Sequence, residues 1–203
     1  MLAAGRPLEA ARAAMILAHG RGAGAADMLA LARELHDPDF AYFAPQAPEN
    51  TWYPHGFLAP IESNEPWLSS GLATIGKLVE RIETAGIPAG RIMLVGFSQG
   101  ACLTLEFAAR NARRYGAIVG LSGGLIGPDG TPRDYPGSFE RTPAFLGCSD
   151  RDPHIPKARV DETARVFEAM DAEVTERIYP GMGHTVNQDE RDCVRGLMLR
   201  VVS

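Results

Sequence analysis

Gly96-Phe97-Ser98-Gln99-Gly100 sets a serine between two glycines, each two residues away. A serine hydroxyl is a poor nucleophile at neutral pH until a neighbouring base accepts its proton. The glycines answer a steric need: where the chain doubles back at the serine, side chains two positions away would strike the adjoining strand or helix. Such a reversal pushes Ser98 outward in a strained turn. The GxSxG string arises by chance about once in ten chains of this length and glycine content, so its weight lies in its setting between an apolar run and a helical one. The competing reading, Ser98 as a simple helix N-cap, leaves both glycines unexplained.

A nucleophile of this kind requires a base and a group to orient it. His184, in Pro180-Gly181-Met182-Gly183-His184, follows the last strand-like run and precedes the last helical one. That is the carboxyl edge where a doubly wound sheet builds its site. His154 is the second candidate. His36 and His55 precede the nucleophile in surface-like stretches, and His19 opens a glycine-rich turn that it could brace by hydrogen bonding. The acid should fall between serine and histidine. Asp150 and Asp152 both do so, in Ser149-Asp150-Arg151-Asp152-Pro153-His154-Ile155-Pro156. Asp152 is preferred because Pro153 drives the residue before it toward extended geometry and so fixes the carboxylate's direction. Asp150 reads as a turn former bound to its own backbone and stays the alternative acid.

Attack on an ester carbonyl puts negative charge on its oxygen, and prearranged backbone N–H groups stabilise that charge. One is expected from Gln99, just after the nucleophile at a helix N-terminus. The other is expected from His19-Gly20-Arg21-Gly22, at the N–H of Arg21. This glycine turn misses the GxGxxG spacing and is followed by no GK[ST], which sets a nucleotide-binding reading aside.

The elements that must position these residues follow from periodicity. Ala13 to Ala18, Phe40 to Phe43, Arg91 to Val95, Ala117 to Leu121, Ala144 to Cys148 and Val174 to Tyr179 predict strands. Ala25 to His36, Ser63 to Gly86, Ser98 to Arg110, Lys157 to Met170 and Gln188 to Val201 predict helices. Alternation of this kind predicts an α/β fold with a mostly parallel sheet and helices on both faces, in one domain over residues 1–203. Two loops stand out: 45–60, rich in Pro, Gly, Asn and aromatics, and 123–141, rich in Gly, Pro and charge.

Composition bounds the rest. With 203 residues, 45% apolar and 22% charged, the chain can bury a core without disulfides or a structural metal. A net charge of −5 without basic runs argues against nucleic acid. Cys102, Cys148 and Cys193 are an odd number without CxxC spacing and read as buried free thiols of a reducing compartment. Ala13 to Ala18 is too short for a signal peptide's apolar region or a membrane span, so a cytoplasmic, soluble protein without stable membrane insertion is expected.

In Ala18-His19-Gly20-Arg21-Gly22, Asn50-Thr51-Trp52-Tyr53-Pro54, Gly96-Phe97-Ser98-Gln99-Gly100-Ala101, Asp152-Pro153-His154-Ile155-Pro156 and Gly183-His184-Thr185, the sequence resembles the phospholipase/carboxylesterase family of α/β-hydrolases, which also holds acyl-protein thioesterases. The resemblance implies a compact α/β-hydrolase fold without a lid domain. It also implies a Ser98, Asp152, His184 triad, an oxyanion hole from the backbone of Arg21 and Gln99, and no metal or organic cofactor. Arg21 stands where thioesterase relatives commonly have leucine, which resembles the small bacterial esterase branch. Met1 to Arg12 looks too short for the leading strand hairpin of many relatives.

The expected activity is a serine carboxylesterase acting on small to medium monoesters. Its partner is a small-molecule ester, and its oligomeric state is a monomer or homodimer. An acyl-thioesterase or lysophospholipase would use the same machinery. A dienelactone-type hydrolase fits less well, since that group generally has cysteine at the serine's place, and a catalytically dead hydrolase fold serving as a binding module is the remaining alternative. Trp52, Tyr53, Phe57 and Leu58 of the first loop, with Leu125 and Ile126 of the second, are expected to line an apolar acyl groove. Trp67 reads as core packing as readily as anything else.

Overall fold

The computed structural model describes residues 1–203. The strands are β1 (Leu2–Gly5), β2 (Ala13–Ala18), β3 (Phe40–Ala44), β4 (Ile92–Phe97), β5 (Ala117–Leu121), β6 (Pro143–Ser149) and β7 (Glu173–Tyr179), the central ones grown from short apolar runs. Between them lie helices α1 (Ala25–Leu35), α2 (Trp67–Thr84), α3 (Gln99–Arg110), α4 (Lys157–Ala169) and α5 (Gln188–Val202). All seven strands share one sheet in the order β1-β3-β2-β4-β5-β6-β7. Every neighbouring pair is parallel except β1 with β3.

Burial on both faces explains why the central strands read as unbroken apolar runs. Along β2, Ala14, Ile16 and Ala18 enter the larger core beneath α2, α3 and α4, while Ala13, Met15 and Leu17 enter the smaller one beneath α1 and α5. The edges are different. β7 carries Glu173, Glu176 and Arg177 on a half-exposed strand, a charge pattern that discourages further pairing.

From β2 the chain steps to β3 on one side, then returns to place β4 on the other. The carboxyl ends of β2 and β4 therefore flank the point where strand order reverses, which is where open α/β sheets bind ligands. The His19–Gly22 turn leaves β2 there, and Ser98 leaves β4 there.

The structure departs from the sequence expectations in four places. Met1 to Arg12, read as too short for a leading strand hairpin and given no strand among the periodic elements, contributes the single strand β1, which pairs Leu2–Gly5 with Ala44–Ala41. Helix α2 begins at Trp67 instead of Ser63, because Pro66 lacks an N–H and restricts Glu65 before it; residues 61–64 form a separate 3₁₀ turn. Trp67 is 53% exposed and packs in no core. Cys102 and Cys148 are buried, but Cys193 is only partly so.

Glu190 is fully buried in the first turn of α5. It forms a reciprocal cap with Asn187: its Oε2 accepts from the Asn187 N–H at 2.8 Å, and its own N–H donates to the Asn187 Oδ1 at 2.9 Å. The other oxygen, Oε1, lies against Gly147 without a hydrogen-bond partner. Burial outweighs the Asn187 N–H and raises the carboxyl from its ordinary 4.5 to about 7. The folded state thus holds this proton more tightly than the unfolded one. Its stabilisation is complete below about pH 4.5 and is lost as pH rises through about 7, a change of about 3 kcal/mol. Urea unfolding at about pH 4.5 and pH 8 should show the wild type losing that much relative to Glu190→Gln. Parallel pH profiles for the two proteins would rule out this proton linkage.

Candidate active site

Ser98 joins β4 to α3 with φ +56° and ψ −121°, a conformation costly for any residue but glycine. Two main-chain bonds hold it there: its N–H donates to the Leu121 carbonyl at 2.9 Å, and its carbonyl accepts from Cys102 at 3.0 Å. The flanking glycines are required by close approach. A Cβ on Gly96 would lie 2.6 Å from the Ala101 Cα, and one on Gly100 would lie 2.5 Å from both the Ala18 carbonyl carbon and the His19 oxygen. The tight corner thus presses α3 onto the ends of β2 and β4.

Three loops at the sheet's carboxyl edge then meet. The Ser98 hydroxyl donates to His184 Nε2 at 2.8 Å, and His184 Nδ1–H donates to Asp152 Oδ2 at 2.7 Å. Asp152 Oδ1 accepts the backbone N–H groups of His154 at 2.8 Å and Ile155 at 3.0 Å. The Asp152 side chain is fully buried. Burial alone would raise its pKa, but the bond from His184 and the two backbone donors together hold it below the usual carboxylate range. His154, the second candidate base, sits edge-on to the His184 ring with centroids 4.8 Å apart, while Phe97 lies 5.0 Å away. Asp150 does not bind its own backbone as expected. Its Oδ1 accepts from the Gly181 N–H at 2.8 Å and ties the loop after β6 to the loop carrying His184.

The turn after β2 abuts the nucleophile, since a Cβ on Gly20 would stand 3.2 Å from the Ser98 Cβ. His19 braces this turn from within the core. Its Nδ1–H donates to the Gly20 carbonyl at 2.8 Å and its Nε2 accepts from the Ala47 N–H at 3.1 Å. Those two partners define a neutral ring, and burial lowers its pKa accordingly.

Sequence reasoning assigned Arg21 and Gln99 only backbone roles, yet their side chains clamp one segment of the first long loop. The Arg21 guanidinium donates to the carbonyls of Tyr53, Pro54 and His55 at 2.7 to 2.9 Å. Gln99 accepts from the Trp52 N–H at 3.0 Å and donates to the Tyr53 carbonyl at 2.8 Å. Trp52 completes the link by donating its indole N–H to the His19 carbonyl at 2.8 Å. The signal available beforehand was a long loop without regular structure, whose carbonyls needed donors from somewhere.

A profile of the phospholipase/carboxylesterase family matches residues 4–196. The chain belongs to that family. A crystal structure of a phospholipase/carboxylesterase from Dyadobacter fermentans is 45% identical, with a TM-score of 0.94 over 98% of this chain and 95% of that one. Acyl-protein thioesterase 1 of Saccharomyces cerevisiae is 29% identical over 97% of this chain and 96% of its own length. The same-named protein of Gibberella zeae is also 29% identical, over 60% of this chain and 52% of its own length. This phospholipase/carboxylesterase has the α/β-hydrolase fold and is an ester-cleaving hydrolase.

Beside Ser98 and His184 lies a cleft of about 350 Å³, walled by Arg21, Tyr53, Phe57, Cys102 and Ile155 among others. Two of the six residues expected to line an acyl groove, Tyr53 and Phe57, are there. The other four are not. Trp52 is 4% exposed and turned to the core, where its ring packs at a tilt against His19 with centroids 4.9 Å apart. Leu58 is half-buried against the larger core. Leu125 and Ile126 are wholly buried because polar side chains draw their backbone downward. Thr163 and Glu106 accept their N–H groups at 3.0 Å, and the Arg159 guanidinium donates to the Leu125 carbonyl at 2.9 Å.

Proposed function

We propose that this phospholipase/carboxylesterase is a serine carboxylesterase that hydrolyses small to medium carboxylic monoesters through an acyl-enzyme on Ser98. The observation that carries the reading is the unbroken line from the Ser98 hydroxyl through His184 to the buried Asp152 carboxylate, with both links under 3 Å. His184 takes the hydroxyl proton as Ser98 attacks the carbonyl, then passes it to the departing alcohol. Water repeats the cycle on the acyl-enzyme. The backbone N–H groups of Arg21 and Gln99 stabilise the tetrahedral oxyanion, the latter at the start of α3 where the helix dipole adds to it. Asp152 holds the imidazole in the tautomer that can accept the proton. Cytoplasmic residence belongs to the same proposal, supported by three unpaired cysteines.

The test is hydrolysis of short p-nitrophenyl esters by the wild type and Ser98→Ala, with fluorophosphonate labelling mapped to the peptide carrying Ser98. Comparable rates in the two proteins, or a probe that leaves Ser98 unmodified, would reject the proposal and favour a non-catalytic binding module. The orienting role of Asp152 makes its own prediction. In Asp152→Asn the amide donates to His184 Nδ1 and forces the proton onto Nε2, where it faces Ser98. We expect kcat to fall about 10³- to 10⁴-fold with KM changed little. A fall of less than about tenfold would assign the acid's part elsewhere, with Asp150 the first place to look.

A thioesterase reading is favoured by one observation, the similarity to acyl-protein thioesterase 1 of S. cerevisiae and G. zeae. Rates on acyl-thioesters, lysophospholipids and simple esters of matched acyl length separate these readings. The limited volume of the cleft supports the simple esters.

A further inference from the structure

His154 has no part in the chemistry proposed above, since His184 is the ring that meets the Ser98 hydroxyl. It nonetheless stands exposed on the wall of the cleft that holds Ser98 and His184. Its place is fixed from behind. Pro153 and Pro156 stiffen the chain on either side, Ile155 beside it is buried, and its backbone N–H donates to Asp152 Oδ1 at 2.8 Å. The imidazole stands nearly perpendicular to that of His184, the planes at 74° and the centroids 4.8 Å apart. This is the edge-to-face arrangement that aromatic rings prefer.

Which half of an ester meets this ring follows from where the proton goes. His184 Nε2 hands it to the departing oxygen, which must therefore come within about 3 Å of Nε2. The group borne by that oxygen then passes along one flank of the His184 ring. Phe97 fills one flank, with centroids 5.0 Å apart, and reaches across to the turn after β2, where a Cβ on Gly20 would stand 3.2 Å from the Phe97 ring. The exposed flank is the one that His154 borders. Resting on the esterase reading above, we infer that His154 sets specificity for the alcohol half of the ester, favouring a phenolic leaving group whose planar ring packs against the exposed imidazole. Phe97, His184 and His154 already form a row of rings, and an aryl group extends it. Such a ring pair contributes beyond the area it buries, whereas an aliphatic alcohol gains the burial alone.

The test uses His154→Ala, which removes the ring, and His154→Phe, which keeps one; both retain the backbone N–H that Asp152 accepts. The probes are phenyl, cyclohexyl and ethyl butyrate, which share one acyl group, and ethyl benzoate, which carries its ring on the acyl half. Ratios of kcat/KM compared between proteins cancel differences in intrinsic ester reactivity. We expect the preference for phenyl over both ethyl and cyclohexyl butyrate to fall about fivefold in His154→Ala and to return to within twofold of wild type in His154→Phe. The sign separates this from a merely structural role. Ethanol departs only with the proton from His184, while phenol depends on it far less, so a variant that disturbed His184 would raise the phenyl preference. A preference unchanged within twofold or raised in His154→Ala would overturn the proposal, as would failure of His154→Phe to restore it. A loss on ethyl benzoate relative to ethyl butyrate would also overturn it, by placing the contact on the acyl half. Should the wild type hydrolyse none of the esters while Ser98 resists the fluorophosphonate, it is the esterase reading that has failed. If Ser98 is labelled and phenyl butyrate still is not cleaved, the alcohol assignment alone falls.

Discussion

Replacing Ser98 with alanine is expected to cut ester hydrolysis about 10⁵- to 10⁶-fold while leaving the fold intact. The hydroxyl is the only atom lost. Its hydrogen bond in the structure is the one it donates to His184 at 2.8 Å, so removing it breaks no scaffold contact. The unusual backbone at this residue is retained, because it is imposed by bonds to Leu121 and Cys102 that alanine keeps. Activity that survives would come from the backbone donors and from holding an ester beside solvent, which removal of a nucleophile leaves in place. Initial rates with p-nitrophenyl acetate and butyrate measure the loss, and circular dichroism confirms the fold. A variant retaining more than about one tenth of the activity would show that another group attacks the carbonyl.

Gly100→Ala is expected to destabilise the protein by about 3 kcal/mol or more, at the upper end of what overpacking usually costs. The added methyl would meet the Ala18 carbonyl carbon and the His19 oxygen at 2.5 Å. Neither can retreat as a flexible side chain would. Ala18 ends β2, which is paired on one side with β3 and on the other with β4, and His19 follows it directly, buried in the core. Relief must come from sliding α3 outward or bending the turn that carries Arg21, so the surviving folded molecules should also lose activity. Gly196→Ala in α5 is the control: nothing lies within 4 Å of its added methyl, and a helix gains about 1 kcal/mol from the exchange. Thermal unfolding of both variants decides the point. An unchanged midpoint for Gly100→Ala would mean that the helix and strand do not approach so closely.

What the sequence disclosed and what it withheld divide along a physical line. The central strands were legible because burial on both faces demands unbroken apolar runs, as in Met93-Leu94-Val95. The meeting of Ser98, His184 and Asp152 could be anticipated because each lies just past a strand, and parallel strands bring those ends to one edge. β1 was hidden: Leu2 to Gly5 is a four-residue, mostly exposed edge segment, too short to carry the long apolar run of a strand buried on both faces. The groove was misjudged because hydrophobicity reports burial, not what a residue is buried against. Leu125 and Ile126 satisfied the pattern of a cleft wall, and only the distant Glu106, Arg159 and Thr163 decide that they face the core. Arg21 was undervalued for a related reason, since three backbone carbonyls as acceptors leave no trace in a pattern of side chains.

The double attachment of residues 52–55 couples two properties that protein engineers usually try to vary one at a time. Arg21 and Gln99 grip a segment of the cleft wall, and the same two residues bring the amides proposed to receive the developing charge. Widening the entrance by remodelling that wall would therefore slacken those proposed amides as well. Variants with broader substrate tolerance should emerge slower on every ester, and recovering their speed calls for a new anchor for the segment before any change to the nucleophile.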